Sequence, residues 1–133
     1  MSILKKDKQN KNIISFAKKY FSRINNILSN IDLKKIEQLE REFLELKKNN
    51  STLYVFGNGG GAATAMTMAN DLGFDIKKKT KVKNTFKIVS LNDNSSVITA
   101  IANDVGYENI FLNQLKNYFK KNDKILIFSA SGN

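Results

Sequence analysis

The feature that most constrains this chain is the run Gly-Asn-Gly-Gly-Gly at residues 57–61. It holds four of the seven glycines, and it separates the apolar run 52–56 from an alanine-rich helical pattern. Glycine accepts positive φ and lets the backbone approach a ligand closely. A strand, a glycine turn and a helix start form an anion site, because the first N–H groups of a helix lack intrahelical partners. The run therefore predicts a phosphate-bearing ligand at the carboxyl edge of a parallel sheet.

The composition is that of a single globular domain. The 133 residues are 41% hydrophobic and 26% charged, and no apolar run reaches the roughly 18 residues of a membrane span, so none is expected. Cysteine is absent, which excludes disulfides and thiolate metal ligands and fits a cytoplasmic location. Histidine is also absent, so this chain by itself supplies no imidazole for acid–base chemistry or metal binding.

The basic balance of the chain comes almost entirely from lysine. The formal charge of +10 arises from 22 basic and 12 acidic residues, and only Arg23 and Arg41 are arginines. Proteins that read nucleic acids favour arginine for bidentate contacts to bases and phosphates. A solvated lysine-rich surface is therefore the preferred interpretation, nucleic acid is not an expected partner, and the positive field would attract a phosphorylated metabolite.

The amino-terminal third is predicted to be helical. Residues 1–11 are polar and lysine-rich and are expected to be disordered or frayed. Apolar side chains recur at three- and four-residue steps over residues 12–31, and a second such pattern follows Asp32, a favoured N-cap residue. Two helices over residues 12–50 carry more apolar surface than a small sheet needs. A helical subunit interface and simple core packing both remain open as its use.

The remainder of the chain alternates between strand and helix patterns. Strands are predicted at residues 52–56, 86–91 and 124–129, and helices at residues 62–72, from Ser95 or Ser96 to about Asn103, and at residues 107–120. Gly73 is the expected C-cap of the first of these helices, and the lysine-rich residues 76–83 are expected to be a mobile, exposed connection. The order predicts an α/β fold, a parallel sheet with helices on both faces and right-handed crossovers.

The last predicted strand runs into Ser-Ala-Ser-Gly-Asn at residues 129–133, where the sequence stops. A sheet of three strands would leave an exposed edge and an unfinished ligand loop. We therefore expect carboxyl-terminal strands to be missing and residues 12–133 to be an incomplete domain.

Two other glycine-loop families fit the run less well. A P-loop requires Lys-Ser or Lys-Thr after its last glycine, and neither follows here. The dinucleotide-binding pattern Gly-x-Gly-x-x-Gly/Ala is matched by Gly57, Gly59 and Ala62. That pattern also expects an acidic residue at the end of the second strand, roughly 20 residues on, and Asp75 and Asp93 bracket this spacing without meeting it. Dinucleotide binding stays as a minor alternative.

Four motifs in fixed order carry a more specific resemblance. They are Gly-Asn-Gly-Gly-Gly-Ala-Ala-Thr-Ala at residues 57–65, Asn-Asp-Leu at 70–72, the stretch 91–107 beginning Leu-Asn-Asp-Asn-Ser-Ser, and Ser-Ala-Ser-Gly-Asn at 129–133. Together they resemble the SIS (sugar isomerase) domain, in particular that of the phosphoheptose isomerases, over residues 12–133.

The resemblance implies a fold and an activity. The fold would be a flavodoxin-like parallel sheet preceded by two amino-terminal helices, assembled as a cytoplasmic homotetramer with active sites between subunits. The activity would be isomerisation of D-sedoheptulose 7-phosphate to D-glycero-D-manno-heptose 7-phosphate, which supplies heptose for bacterial lipopolysaccharide or capsule. The alternative is a non-catalytic SIS module that binds a phosphosugar or another protein.

The resemblance also assigns the site. Its base is a glutamate in that family, and the matching residue here is Asp71. The sugar would lie against Asn58, Gly59, Gly60 and Gly61 on one side and Asp93, Asn94 and Ser95 on the other, with the phosphate held by Ser129, Ala130 and Ser131. Read without the family, the serines, Asp93 and Asn94 also fit ordinary helix caps and turns, and Asp71 also fits a solvated surface group.

Three positions depart from the family pattern. Thr67 occupies the place of a histidine that binds zinc in some members, and Gly61 and Ala130 replace a serine and a threonine. The family's second catalytic histidine and its other zinc ligands belong to its carboxyl-terminal third, which has no counterpart in residues 1–133. We therefore expect no metal site and no cofactor from this chain.

Overall fold

The computed structural model describes residues 12–82 and 85–132. The predicted fraying of residues 1–11, and the part of the predicted connection at residues 83 and 84, lie outside this range. The chain divides into two compact units, Met1–Leu39 and Glu40–Asn133. In the described ranges no helix has both the length and the apolar character needed to cross a bilayer.

The described part of the first unit is helical, as predicted. Helix α1, Ile13–Ser29, starts after Asn12, whose side-chain Oδ1 accepts a hydrogen bond from the Ile14 N–H at 2.9 Å. Helix α2, Leu33–Lys48, begins in the same unit and continues into the second. The predicted cap at Asp32 is confirmed, since its Oδ1 accepts from the Lys34 N–H at 2.9 Å. Exposed large apolar residues in this unit are Ile13, Ile14, Tyr20, Phe21, Ile27, Leu28, Ile31, Leu33, Ile36 and Leu39.

The second unit is built on a three-stranded parallel sheet in the order β2-β1-β3. The predicted parallel α/β class is confirmed. After the end of α2 its elements are β1 Thr52–Gly57, α3 Gly60–Asn70, a π-helical turn Asp71–Asp75, α4 Ile76–Thr80, β2 Lys87–Ser90, α5 Ser95–Asp104, a 3₁₀ turn Tyr107–Asn109, α6 Ile110–Tyr118 and β3 Lys124–Phe128.

One face of the sheet packs against α2 and α3. Leu53 and Val55 of the central strand β1 are buried there, together with Leu46 of α2 and Ala65 of α3. Val55 and Ala65 are both 0% exposed. A small side chain at position 65 lets the α3 backbone come close to the sheet.

The opposite face packs against α6. Tyr54 and Phe56 alternate with the residues of the first face, as expected for a strand, and contact Phe111 and Leu115. The rings of Phe56 and Phe111 stack with their centroids 4.3 Å apart. Helices therefore cover both faces of the sheet, as the sequence predicted.

The helical path after the glycine loop continues past its predicted end at residue 72, through α3, the π-helical turn and α4. It begins at Gly60 and does not stop at Gly73, so the prediction of Gly73 as its C-cap is wrong. The chain passes instead through the π-helical turn, in which the Ile76 N–H donates to the Asp71 carbonyl five residues earlier. Nothing in this turn requires glycine, since an added Cβ at Gly73 would meet no atom within 4 Å.

Residues 76–80 of the predicted connection form helix α4, and residues 77–80 are exposed as expected. An ion pair one turn apart supports the helix, with Lys79 Nζ 3.2 Å from Asp75 Oδ2. The helix ends at Lys81, whose φ of +56° places it in the left-handed region typical of a helix terminus.

The next two helices also differ in detail from the prediction. Helix α5 is capped by Asn94, whose Oδ1 accepts from the Val97 N–H at 3.1 Å, and not by Ser95 or Ser96. The predicted helix 107–120 opens with a 3₁₀ turn and is α-helical only over Ile110–Tyr118. Asparagine and serine cap equally well, so composition alone could not choose between adjacent positions.

Candidate functional site

Three loops lie at the carboxyl ends of the strands. We call this edge of the sheet the carboxyl edge. Because all three strands are parallel, the loop after β1 (residues 58–59), the loop after β2 (residues 91–94) and the loop after β3 (residues 129–132) lie at the same edge of the sheet. Most of the residues proposed from sequence are in or next to these loops.

The glycine loop lies against the end of β3 more closely than any side chain would allow. A Cβ added to Gly57 would stand 2.6 Å from the Phe128 carbonyl oxygen, and one added to Gly61 would stand 2.5 Å from the same atom. Position 61, where the family pattern has serine, thus has no room for a side chain in this chain. Gly59 has φ +54° and ψ −120°, a backbone conformation that favours glycine, and it leads directly into α3.

Asn92 holds the loop from the β2 side. Its Oδ1 accepts a hydrogen bond from the Gly57 N–H at 3.1 Å, and its Nδ2 donates to the Gly57 carbonyl at 3.0 Å. Gln114, which is buried, fixes the neighbouring residue by donating to the Leu91 carbonyl at 3.1 Å. Asn92 is not among the site residues predicted from sequence, although it belongs to the polar residues that follow β2.

Asn58 is held by a residue that follows the end of α5 along the chain. Its Oδ1 accepts a hydrogen bond from the Tyr107 hydroxyl at 3.0 Å. Tyr107 belongs to the 3₁₀ turn before α6 and is 61% exposed, so the contact is made at the protein surface. Tyr107 is the last residue of the motif at residues 91–107, and it is not among the site residues that the resemblance implies.

The serine loop after β3 is folded back on itself. Ser129 Oγ accepts from the Gly132 N–H at 3.0 Å and lies 3.4 Å from Ser131 Oγ. A cavity of about 370 Å³ opens beside it. Its polar lining includes Asn58, Ser129 and Ser131, and its apolar lining includes Phe56 and Phe111. The structure therefore brings the sugar-side residue Asn58 together with the proposed phosphate residues, Ala130 among them.

The other predicted binding residues do not line this cavity. Gly59, Gly60 and Gly61 shape the loop and begin α3. Asp93 and Ser95 are exposed, and Asn94 uses its side-chain oxygen to cap α5. The capping interpretation of Asn94 is therefore correct, and its Oδ1 is already engaged.

Asp71 lies at the opposite end of α3 from the glycine loop. The helix begins at Gly60 and Asp71 follows its last residue, which at about 1.5 Å per residue is about 16 Å along the axis. Asp71 lines a separate, shallow surface depression of about 520 Å³ together with Thr64 and Thr67. The structure thus places Asp71 beside the position of the family histidine and apart from the cavity at the serine loop.

The donor set offers little to a metal ion. Over residues 12–82 and 85–132, no three acidic side chains come close enough together to hold one, and the chain has no histidine or cysteine. Thr67 supplies a hydroxyl where zinc would need an imidazole.

Contacts at the sheet shift the pKa values of Glu45, Lys124 and Tyr54. Lys124, at the start of β3, contacts Glu42 and Glu45 of α2. Its hydrogen bond holds the pKa of Glu45 below the usual value, and the hydrogen bonds to Glu42 and then Glu45 raise the pKa of Lys124. Burial, and then the charge of Asp123, raise the pKa of Tyr54.

A comparison with protein families decides the classification. The family model described as "SIS domain" matches residues 19–133, which is most of the chain. This chain belongs to the SIS domain family. The resemblance read from its glycine and serine motifs is confirmed.

Curated relatives of this SIS chain carry the name phosphoheptose isomerase. It is 33% identical over 114 residues to a probable phosphoheptose isomerase of Thermoplasma volcanium, covering 86% of this chain and 57% of that protein. It is 38% identical over 90 residues to a phosphoheptose isomerase of Helicobacter pylori, covering 68% of this chain and 45% of that protein. The chain thus spans about half the length of the curated relatives it matches.

Solved structures confirm the fold of this SIS chain. Phosphoheptose isomerase GmhA from Neisseria gonorrhoeae superposes with a TM-score of 0.77 at 24% identity, over 92% of this chain and 63% of that one. A phosphoheptose isomerase from Francisella tularensis gives 0.73 at 19% identity, over 89% and 60%.

Proposed function

We propose that this SIS chain belongs to a phosphosugar isomerase that converts D-sedoheptulose 7-phosphate to D-glycero-D-manno-heptose 7-phosphate. The observation that carries the proposal is the cavity at the carboxyl edge, where Asn58 faces the same space as the hydroxyls of Ser129 and Ser131. A polar amide on one side and a hydroxyl-rich loop on the other suit a sugar with a phosphate at one end. The names of the relatives point to the same substrate.

The proposed reaction moves one proton between adjacent carbons. A carboxylate removes a proton from C1 of the ketose while the C2 carbonyl oxygen gains one, which gives an enediol. Return of a proton to C2 and loss of one from the C1 hydroxyl then yield the aldose, with no change in overall composition. Asp71 is the proposed carboxylate, and it begins a π-helical turn, a distortion that is frequent at functional sites.

The position of Asp71 makes oligomerisation part of the proposal. Asp71 lies about 16 Å along the helix from the glycine loop, so it would serve a cavity completed by another copy of the chain. Assembly as a homotetramer through the amino-terminal helices would use the exposed apolar side chains of α1 and the start of α2. We further propose that the protein acts in the cytoplasm and supplies heptose for a surface polysaccharide. This chain would contribute no cofactor or metal ligand to the site.

A second candidate is a SIS module that binds a phosphosugar or a protein without catalysis. Threonine at position 67, on the same surface depression as Asp71, favours it, because the resemblance implies a zinc-binding histidine at this position in some members and a threonine hydroxyl does not replace an imidazole ligand.

An isomerase assay on the protein from its complete reading frame separates the two. With D-sedoheptulose 7-phosphate we expect aldose product, and Asp71→Asn should lower kcat by about 10²- to 10⁴-fold. Asp75→Asn is the matched control, since Asp75 belongs to the same turn and pairs only with Lys79 in the described structure. Binding of the ketose phosphate without turnover in the wild type would support the non-catalytic module instead.

A further inference from the structure

The side-chain amide of Asn92 can face Gly57 in one orientation only. Its Oδ1 accepts from the Gly57 N–H at 3.1 Å, and its Nδ2 donates to the Gly57 carbonyl at 3.0 Å. A backbone N–H only donates and a backbone carbonyl only accepts, so a reversed amide would set donor against donor and acceptor against acceptor. The two bonds therefore fix both the amide and the backbone groups that it meets.

Asn92 is itself anchored by its surroundings. Its own N–H donates to Ser90 Oγ at 3.1 Å. The preceding residue, Leu91, donates its N–H to the Val55 carbonyl at 3.0 Å and accepts at its own carbonyl from Gln114 Nε2 at 3.1 Å. The side chains of Ser90 and Gln114 are both buried. Asn92 thus extends from a segment that is tied to strand β1 on one side and to helix α6 on the other.

The bond from Asn92 acts on the residue that follows Gly57. The Gly57 carbonyl belongs to the planar peptide group that joins Gly57 to Asn58, so Asn92 fixes the plane of that peptide. On its other side Gly57 pairs with Phe128, and a Cβ at position 57 would lie 2.6 Å from the Phe128 carbonyl oxygen. Gly57 is buried, so without Asn92 its N–H and carbonyl would lose their partner, which favours a rotated peptide that reaches water. Such a rotation would move Asn58, which lines the cavity.

We propose that Asn92 is a positioning residue, which acts through Gly57 to place the Asn58 side chain for the sugar end of the ligand. This inference rests on the proposed function and adds to it a residue that supports the site from behind the glycine loop. The phosphate end is assigned to Ser129 and Ser131, which belong to the loop after β3. Asn92 should therefore govern affinity for the sugar end and leave affinity for the phosphate end unchanged.

The test compares two ligands in the protein from the complete reading frame. D-sedoheptulose 7-phosphate has a sugar and a phosphate, whereas inorganic phosphate, measured by competition with it, has no sugar. For Asn92→Ala we expect the ketose phosphate to bind about three- to tenfold more weakly, the range of a single neutral hydrogen bond, and the inhibition constant of phosphate to change by less than about twofold. Asn103→Ala, which removes another exposed-helix asparagine, is the control and should alter neither affinity.

A general loosening of the site would give a different result, because it would weaken both ligands alike. The folded fraction of each variant is measured by circular dichroism at the assay temperature. Asn92→Ser is the milder variant, since a single hydroxyl can keep at most one of the two bonds to Gly57. Its loss of ketose phosphate affinity should lie between the wild type and Asn92→Ala.

A double-mutant cycle checks the route through Asn58. In the Asn58→Ala background, Asn92→Ala should have no further effect on ketose phosphate binding, because the side chain that it places is gone. An unchanged affinity in Asn92→Ala, equal losses for the two ligands, additive losses in the double mutant, or no competition by phosphate in the wild type would overturn the inference. Wild-type binding without turnover would remove only the proposed isomerase activity, whereas absence of ketose phosphate binding would overturn both.

Discussion

The side-chain amide of Asn92 forms two hydrogen bonds with the backbone of Gly57, at 3.1 Å to its nitrogen and 3.0 Å to its oxygen. Strand β2 ends at Ser90, which pairs with Val55, so on that side Gly57 has no strand neighbour. The amide of Asn92 takes the place of the missing peptide group and extends the ladder by one residue. The glycine loop is therefore held by the sheet on one side and by a side chain on the other.

Replacing Asn92 should loosen this loop. Asn92→Ala leaves the buried N–H and carbonyl of Gly57 without their partner, so we expect a loss of about 1–3 kcal/mol in the free energy of unfolding. Asn92→Asp should be at least as harmful, because the carboxylate accepts from the N–H but faces the carbonyl oxygen with a negative charge. Denaturant unfolding measures both. Asn103→Ala should change stability by less than about 0.5 kcal/mol, because within the described part of the chain the native amide bonds only to the neighbouring Asp104.

The two glycines that open α3 should respond oppositely to alanine. Gly61→Ala places a Cβ 2.5 Å from the Phe128 carbonyl oxygen, so we expect a loss of about 1–3 kcal/mol from overpacking. Gly60→Ala meets no atom within 4 Å and should leave stability unchanged or raise it by up to about 1 kcal/mol, because alanine restricts the unfolded chain. The melting temperatures of the two variants, compared with that of the wild type, test this prediction. Equal stability of the two would show that β3 does not lie against the loop.

The contribution of Lys124 should depend on pH. Its hydrogen bond lowers the pKa of Glu45, so the stabilisation is present above the usual carboxyl value of about 4.3 and disappears as pH falls through the lowered value. The pKa of Lys124 is raised, so its side of the contact persists up to pH values above about 10.4. Lys124→Met should therefore reduce stability at pH 7 and match the wild type more closely at pH 3. Lys121→Met, an exposed neighbour, should show no such dependence.

Tyr54 should stabilise the sheet through its hydroxyl at neutral pH and less so in alkali. The hydroxyl of this buried residue donates to the Tyr118 carbonyl at 3.0 Å, so Tyr54→Phe should cost about 0.5–1.5 kcal/mol. Burial raises the pKa of Tyr54, so above pH about 10 the unfolded chain ionises first and the wild type loses stability. The gap between the two proteins should narrow at pH 11. Tyr118→Phe keeps the accepting carbonyl and should be neutral at pH 7.

Local rules predicted the elements that depend on short-range patterns. The apolar run at residues 52–56 became β1, and the cap at Asp32 begins α2 as expected. The same rules failed at Gly73. Glycine often ends a helix, but here Gly73 lies within a π-helical turn that continues into α4. Tertiary context outweighs a propensity of about 1 kcal/mol for a single glycine.

The site was predictable only as far as its residues lie in local motifs. Asn58, Ser129 and Ser131 were proposed from sequence and line one cavity. The contacts made by Asn92 and Tyr107 join residues 35 and 49 positions apart. No pattern within one window could show which amide meets which backbone group, because that depends on the register of parallel strands.

The strand order β2-β1-β3 has a consequence for where a ligand can bind. The connection after β1 leads to β2 on one flank of β1, and the connection after β2 crosses β1 to reach β3 on the other flank. The strand order therefore reverses direction at β1, which makes residues 57–61 a topological switch point. A crevice at that point follows from connectivity alone. Substitutions in the three loops would change what the crevice holds, while its location would survive as long as the strands keep their order.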